Sequence, residues 1–161
     1  MVRNSAFACT GKKSAIKMPF TMACVAQGWV AGWAVTTFAS AALFTFQSGQ
    51  VQSYSNVLRS VFEVADQVPP EGKLTYGFSL ALAVLATRTV ARTHATLLFG
   101  VLVASVASMA SALWIVPVNY YPNITDFGAL WVTLHLLAAS IGGGALFFTA
   151  WICARRKETK S

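Results

Sequence analysis

Charge is scarce in this sequence, and acid is scarcer still. Only 11% of the 161 residues are charged, and five of them are Asp or Glu. Soluble domains carry about 25% charged residues. A chain this poor in charge cannot cover a globular surface with polar groups, so lipid has to cover part of it. Histidine and cysteine are nearly missing too, at two and three residues. Cys9, Cys24 and Cys153 form no paired spacing of a zinc or redox kind. No acid lies inside an apolar run, which argues against a proton relay or cation-coupled transport. The only acid near His135 is Asp126, which reads as a helix N-cap, so no Ser–His–acid set can assemble. The Gly142-Gly143-Gly144 triplet lies in an apolar stretch and lacks the strand and lysine of a phosphate loop. No enzyme is indicated. Nor does the net charge of +7 point to nucleic acid, because the basic residues fall between apolar runs and form no stripe on one folded face.

What the sequence has is apolar length. It is 56% hydrophobic, with a mean hydropathy of +0.59. Crossing about 30 Å of hydrocarbon takes roughly 20 residues, and four stretches approach that: residues 18–46, 74–92, 95–116 and 127–154. The second needs Arg88 and Arg92 to reach the interface with their charged ends. The third is expected to stop at Pro117, and the fourth at Arg155-Arg156-Lys157. The expected fold is an all-α integral membrane four-helix bundle. It forms a single domain over residues 18–154, between a basic tail at 1–17 and another at 155–161.

Charge placement is an independent test of that count. With four spans, the two tails and the turn between spans two and three share one side. That side collects ten of the twelve Lys and Arg residues, leaving only Arg59 and Lys73 on the other. Four of the five acids, Glu63, Asp66, Glu71 and Asp126, fall opposite. This segregation follows the positive-inside rule, and two or three spans would break it. All three cysteines then lie at or near the basic side, so no stabilising disulfide is expected. Cys24 and Cys153 read as small packing residues, with acylation near a helix end as the alternative.

Between spans one and two, Val51, Tyr54, Leu58, Val61, Ala65 and Val68 recur at steps of three and four. An amphipathic helix over residues 51–68 is expected, ended by Pro69-Pro70 and Gly72 and lying on the bilayer surface or on a partner. The first span is too long for a signal peptide, and Trp29 and Trp33 interrupt the place of its apolar core. The acid-free N-tail has some likeness to an organellar transit segment. The expected homes are therefore a mitochondrial or other organellar inner membrane, or the secretory pathway and plasma membrane. On the acidic side, Asn123-Ile124-Thr125 is a glycosylation sequon.

In lipid, close approach of backbones holds helices together, and small residues at helical spacing permit it. Gly28, Gly32, Thr36 and Ser40 are four apart, as are Gly100, Ala104, Ser108 and Ala112. Ala138, Gly142 and Ala145 share a face beside Gly143. Trp29, Trp33, Phe44, Phe46, Trp114, Trp131 and Trp151 sit toward span ends, where aromatic anchors belong. The polar residues inside spans are Gln27 and His135, each expected to hydrogen-bond within the bundle. His135 is also the one candidate cofactor ligand. A bis-histidine haem within one chain is excluded, because His94 and His135 differ in depth by roughly 15–20 Å. No cofactor is expected.

Residues Ala107 to Trp114, closing the third span, resemble the claudin and peripheral-myelin-protein group of four-span proteins. So do Leu134 to Leu146 before the basic tail. That likeness implies a self-standing four-span scaffold. It covers about 60 residues, and residues 47–73 lack the Trp, the Gly-Leu-Trp and the two cysteines of a claudin outer loop. From the residues themselves, the expected role is a non-catalytic accessory subunit of a larger membrane assembly, with an organellar energy-converting complex as one host. Its partners would be the bilayer and other membrane subunits. The remaining alternative is a redox or quinone-associated anchor using His135.

Overall fold

The computed structural model describes residues 20–47, 54–90, 96–120 and 128–159. These form helices α1 (Met22–Gln47), α2 (Tyr54–Gln67), α3 (Pro70–Phe78), α4 (Ala81–Val90), α5 (Leu97–Tyr120) and α6 (Gly128–Glu158), with no strand among them. Three of the described helices, α1, α5 and α6, are long and apolar enough to cross a membrane. The chain is thus all-helical and compatible with a multi-pass membrane protein. The tail at residues 1–17, His94, the sequon at Asn123 and the cap at Asp126 lie outside the described residues.

Helix α6 packs along both α1 and α5, and glycine allows both contacts. A Cβ on Gly28 would stand 2.5 Å from the Leu146 carbonyl oxygen, and one on Gly32 would stand 2.8 Å from that of Gly142. Partner numbers fall along α6 as they rise along α1, so the two helices are antiparallel. The contact with α5 works the same way. Gly100 faces the Phe147 ring, Gly143 faces the Ala104 backbone, and Ala112 clusters with Ala139. Helix α5 is therefore antiparallel to α6 as well. Buried threonines direct their hydroxyls to carbonyls one turn back, Thr36 to Gly32 (2.8 Å) and Thr45 to Ala41 (2.7 Å), so they remain satisfied in an apolar setting. Thr87 Oγ1 on α4 is the one buried side-chain oxygen or nitrogen without such a partner among the described residues.

Helix boundaries depart from the sequence expectations at four places. The stretch expected as one span over 74–92 is two helices joined at Ser79–Leu80, and it starts earlier. Pro70 does not merely end α2; it opens α3 in the first turn, where its missing N–H costs nothing. Gly72 is a buried residue of α3, not a stop. At the junction the Leu80 N–H bonds to Gly77 (3.3 Å), a three-residue step, and the ladder resumes from Val84 to Leu80 (2.9 Å). The Ser79 carbonyl accepts a hydrogen bond from the Ser108 hydroxyl of α5 (3.3 Å). A neighbouring serine satisfying a helix break is what an apolar environment demands. The break also turns Leu80 fully inward, into a cluster with Ala83, Ala104, Leu146 and Phe147.

Pro117 does not stop α5, which continues to Tyr120. So close to the end of a helix, a proline forfeits one hydrogen bond without destroying the turn. Likewise α6 runs on through Arg155, Arg156 and Lys157 to Glu158. Basic residues end a lipid-solvated stretch, but they are good helix formers and favour the negative end of the helix dipole.

Candidate functional site

The polar centre of the bundle is assembled from three helices. Ser40 is the last residue of the small-residue stripe on α1, and its Oγ lies 2.7 Å from the Tyr76 hydroxyl on α3. The Tyr76 hydroxyl in turn lies 3.4 Å from Nε2 of His135 on α6. All three side chains are buried. The His135 ring meets Phe44 edge-on at 5.3 Å between centroids and Tyr76 at 5.9 Å. Each hydroxyl can donate to the next group, so Ser40, Tyr76 and His135 form a single-file chain. Chemically it can fix the imidazole and hold α1, α3 and α6 in register. Among the described residues no group of three His, Cys, Asp or Glu comes together that could hold a metal.

Removing the Tyr76 hydroxyl leaves two buried polar groups facing a phenyl ring. Tyr76→Phe is expected to destabilise the bundle by about 1–2 kcal/mol, the upper part of the range for hydrogen bonds between helices in lipid. Denaturation in mixed micelles will measure this, and Ser40→Ala should add little once Tyr76 is gone.

The indoles take a different place from the one expected. Trp29 and Trp33 stack at 5.5 Å between centroids, and both turn inward toward α3. Trp33 Nε1 donates to the Lys73 carbonyl (2.6 Å) and Trp29 Nε1 to that of Gly77 (3.1 Å). A carbonyl that already takes a backbone N–H keeps a second lone pair, and a half-buried indole N–H can use it. Gln27 is not bonded across the bundle either. It is exposed and lines a cleft at the end of α1 and α6, with no hydrogen bond among the described residues.

Cys24 and Cys153 form a disulfide, with Cα atoms 5.4 Å apart. This overturns the expectation of two separate packing residues. The antiparallel register that brings Gly28 to Ala150 brings Cys24 to Cys153 one turn further out. Membrane side was the wrong criterion, since two cysteines at the same end of adjacent helices can pair wherever their backbones meet in the right geometry. The signal that would have revealed the pair is positional. Cys24 lies in the first turn of α1 and Cys153 in the penultimate turn of α6. Tyr76 was also missed, because one hydroxyl in an apolar run gives no periodic signal. The small residues expected to pack helices now have defined neighbours. Gly28, Gly32 and Thr36 of α1 face α6, as do Gly100 and Ala104 of α5, while Ser108 reaches both Gly143 and α3–α4.

No family model matches the chain, and neither a curated protein nor a solved structure does, so the local likeness to claudins is not backed by any whole-chain relationship.

Proposed function

We propose that the chain crosses the bilayer four times and serves as a non-catalytic structural subunit of a larger membrane assembly. One observation carries the crossing count. Both α1 and α5 run antiparallel to α6, so they run parallel to each other, and the chain between them has to return across the bundle. Helices α3 and α4 make that return: residues 70–90 reach about 31 Å at 1.5 Å per residue, close to the hydrocarbon thickness. Exposed Leu98, Leu102 and Val106 on α5, with Leu137, Ile141 and Phe148 on α6, suit a lipid-facing surface. The non-catalytic reading draws on the inner polar side chains: buried Ser40, Tyr76, His135 and Ser108 and the two half-buried indoles bond to one another or to backbone carbonyls.

Helix α2 supplies the argument for partners. Val61 and Ala65 pack on Ala41 of α1, and Phe62 meets Phe38 edge-on at 5.1 Å. Leu58 remains 72% exposed and Phe62 59% exposed, beside the Arg59–Glu63 ion pair (2.8 Å). Such an amphipathic face is suited to the bilayer surface or to another subunit. Purification in mild detergent should therefore yield a complex with other membrane proteins, and a lone monomer would refute the assembly role. A self-standing tetraspan scaffold is the second reading. It is favoured by the engagement of the α1 and α5 small-residue stripes inside the chain, which leaves neither free for a partner. A glycan on Asn123 would select it and rule out a mitochondrial home. A redox role for His135 predicts a haem or quinone signal in the purified protein that disappears in His135→Ala.

A further inference from the structure

At the end of the bundle that holds the disulfide, a cleft of about 230 Å³ opens between α1 and α6. It is lined by Gln27 of α1 and by Thr149, Ile152, Cys153, Arg156 and Lys157 of α6. The spacing explains how α6 builds it: Thr149, Ile152, Cys153 and Arg156 follow at steps of three, one and three, which places them on a single helical face. The Cys24–Cys153 bridge holds that face against α1 and keeps Gln27 opposite it.

The lining has a consistent chemistry. Arg156, Lys157, Gln27 and Thr149 all offer hydrogen-bond donors, two of them cationic, and among the described residues no carboxylate lines the cleft. Lys157 Nζ donates one hydrogen bond to Thr21 Oγ1 (3.0 Å), which leaves two of its donors. Ile152 supplies an apolar wall. Arg155 is directed elsewhere, with its guanidinium 3.9 Å above the Trp151 ring. Stacked this way, Arg155 and Trp151 form the aromatic–cation pair that marks a lipid–water interface. The cleft lies at the same level of α6, less than one turn away.

Cationic donors without acids, an apolar wall and an interfacial depth together specify an amphiphilic oxyanion. We propose that this cleft binds the phosphate headgroup of an anionic phospholipid in the leaflet on the basic side. Arg156 would grip the phosphate bidentately, Lys157 would neutralise it, and Gln27 and Thr149 would donate to its remaining oxygens. The volume is the share of about eight water molecules at roughly 30 Å³ each, enough for a phosphate and part of its glycerol. The inference rests on the four-crossing reading, which places the cleft at a membrane surface.

The test is native mass spectrometry of the full chain, released from nanodiscs of phosphatidylcholine with a minor fraction of phosphatidylglycerol. Retention of the protein in phosphatidylcholine-only discs checks the membrane reading separately. The wild type should carry phosphatidylglycerol in preference to phosphatidylcholine. Arg156→Gln with Lys157→Gln should lower that preference about 25-fold, the product of roughly fivefold for each cation near a membrane surface. Arg155→Gln should leave the preference within about twofold. Equal losses in the two variants would reduce the effect to general attraction by a basic tail and overturn the proposal. An unchanged preference in the double variant would overturn it as well. Displacement of the lipid by millimolar inorganic phosphate would make this a site for soluble anions, also contrary to the proposal.

Discussion

Gly143→Ala is expected to destabilise the bundle by about 2 kcal/mol, while Gly144→Ala, one residue along the same helix, should be neutral or slightly stabilising. The two substitutions are chemically identical and gain the same helix propensity, so only their surroundings separate them. A Cβ on Gly143 would stand 2.5 Å from the Ala104 carbonyl oxygen and 2.7 Å from Ser108 Cβ. The first is backbone in the middle of α5 and the second is bonded directly to it. Neither can yield without moving the helix. Overpacking of this kind costs about 1–3 kcal/mol. It would also strain the hydrogen bond from Ser108 to the Ser79 carbonyl, because α5 would carry Ser108 outward. On Gly144 the nearest atoms are Ser105 Oγ at 3.0 Å and Val101 Cγ1 at 3.4 Å, both side-chain atoms able to give way. Unfolding of both variants in mixed micelles, with the wild type alongside, measures the difference. Equal losses would mean that α5 and α6 do not meet along this face.

Loss of the Cys24–Cys153 bridge should have an effect at least as large. It links residues 129 apart, and closing a loop of about that length contributes nearly 5 kcal/mol in the chain-entropy treatment for water-soluble chains. In lipid the unfolded reference is already helical and confined, so the expected loss is smaller, about 2–3 kcal/mol. In a Cys9→Ala background no thiol should react with a maleimide in the denatured, unreduced protein, and two should react after reduction. The reduced form should also unfold at a lower detergent denaturant fraction. Two reactive thiols before reduction would show that the helix ends are not joined. The anionic-lipid cleft depends on the same bridge, so reduction should weaken lipid retention as well as stability.

Much of the fold was legible because lipid imposes simple demands on sequence. The apolar runs behind α1, α5 and α6 announce themselves, and small residues at four-residue spacing indicate where backbones approach. The return path was only half legible. Its composition gives Leu74 to Thr87 as an apolar run, but the break at Ser79–Leu80 depends on Ser108, 29 residues away in sequence, and no local pattern encodes that partner. The helices run on past the expected ends of the apolar stretches at Pro117 and Arg155 for a common reason. Signals that end a lipid-solvated stretch do not have to end a helix.

The polar site was less legible still. His135 stood out because an ionisable group in an apolar run is costly. Its partner Tyr76 carries no charge, belongs to another helix and is identified only by tertiary contact. Trp29 and Trp33 illustrate the same limit. An indole at an interface and an indole donating to a broken helix have the same sequence signature, and the position of α3 decides between them. The disulfide needed the antiparallel register of α1 and α6, which the glycine stripes permit but do not assign on their own.

The central claim is the fourfold passage of the chain, and the sidedness of its two tails tests it most directly. With reporter tags at both termini in sealed, oriented vesicles, an impermeant protease should reach both tags from the same side or neither. If only α1, α5 and α6 crossed, the count would be odd and the tags would lie on opposite sides. That result would contradict the antiparallel pairing of α1 with α6 and the account built upon it.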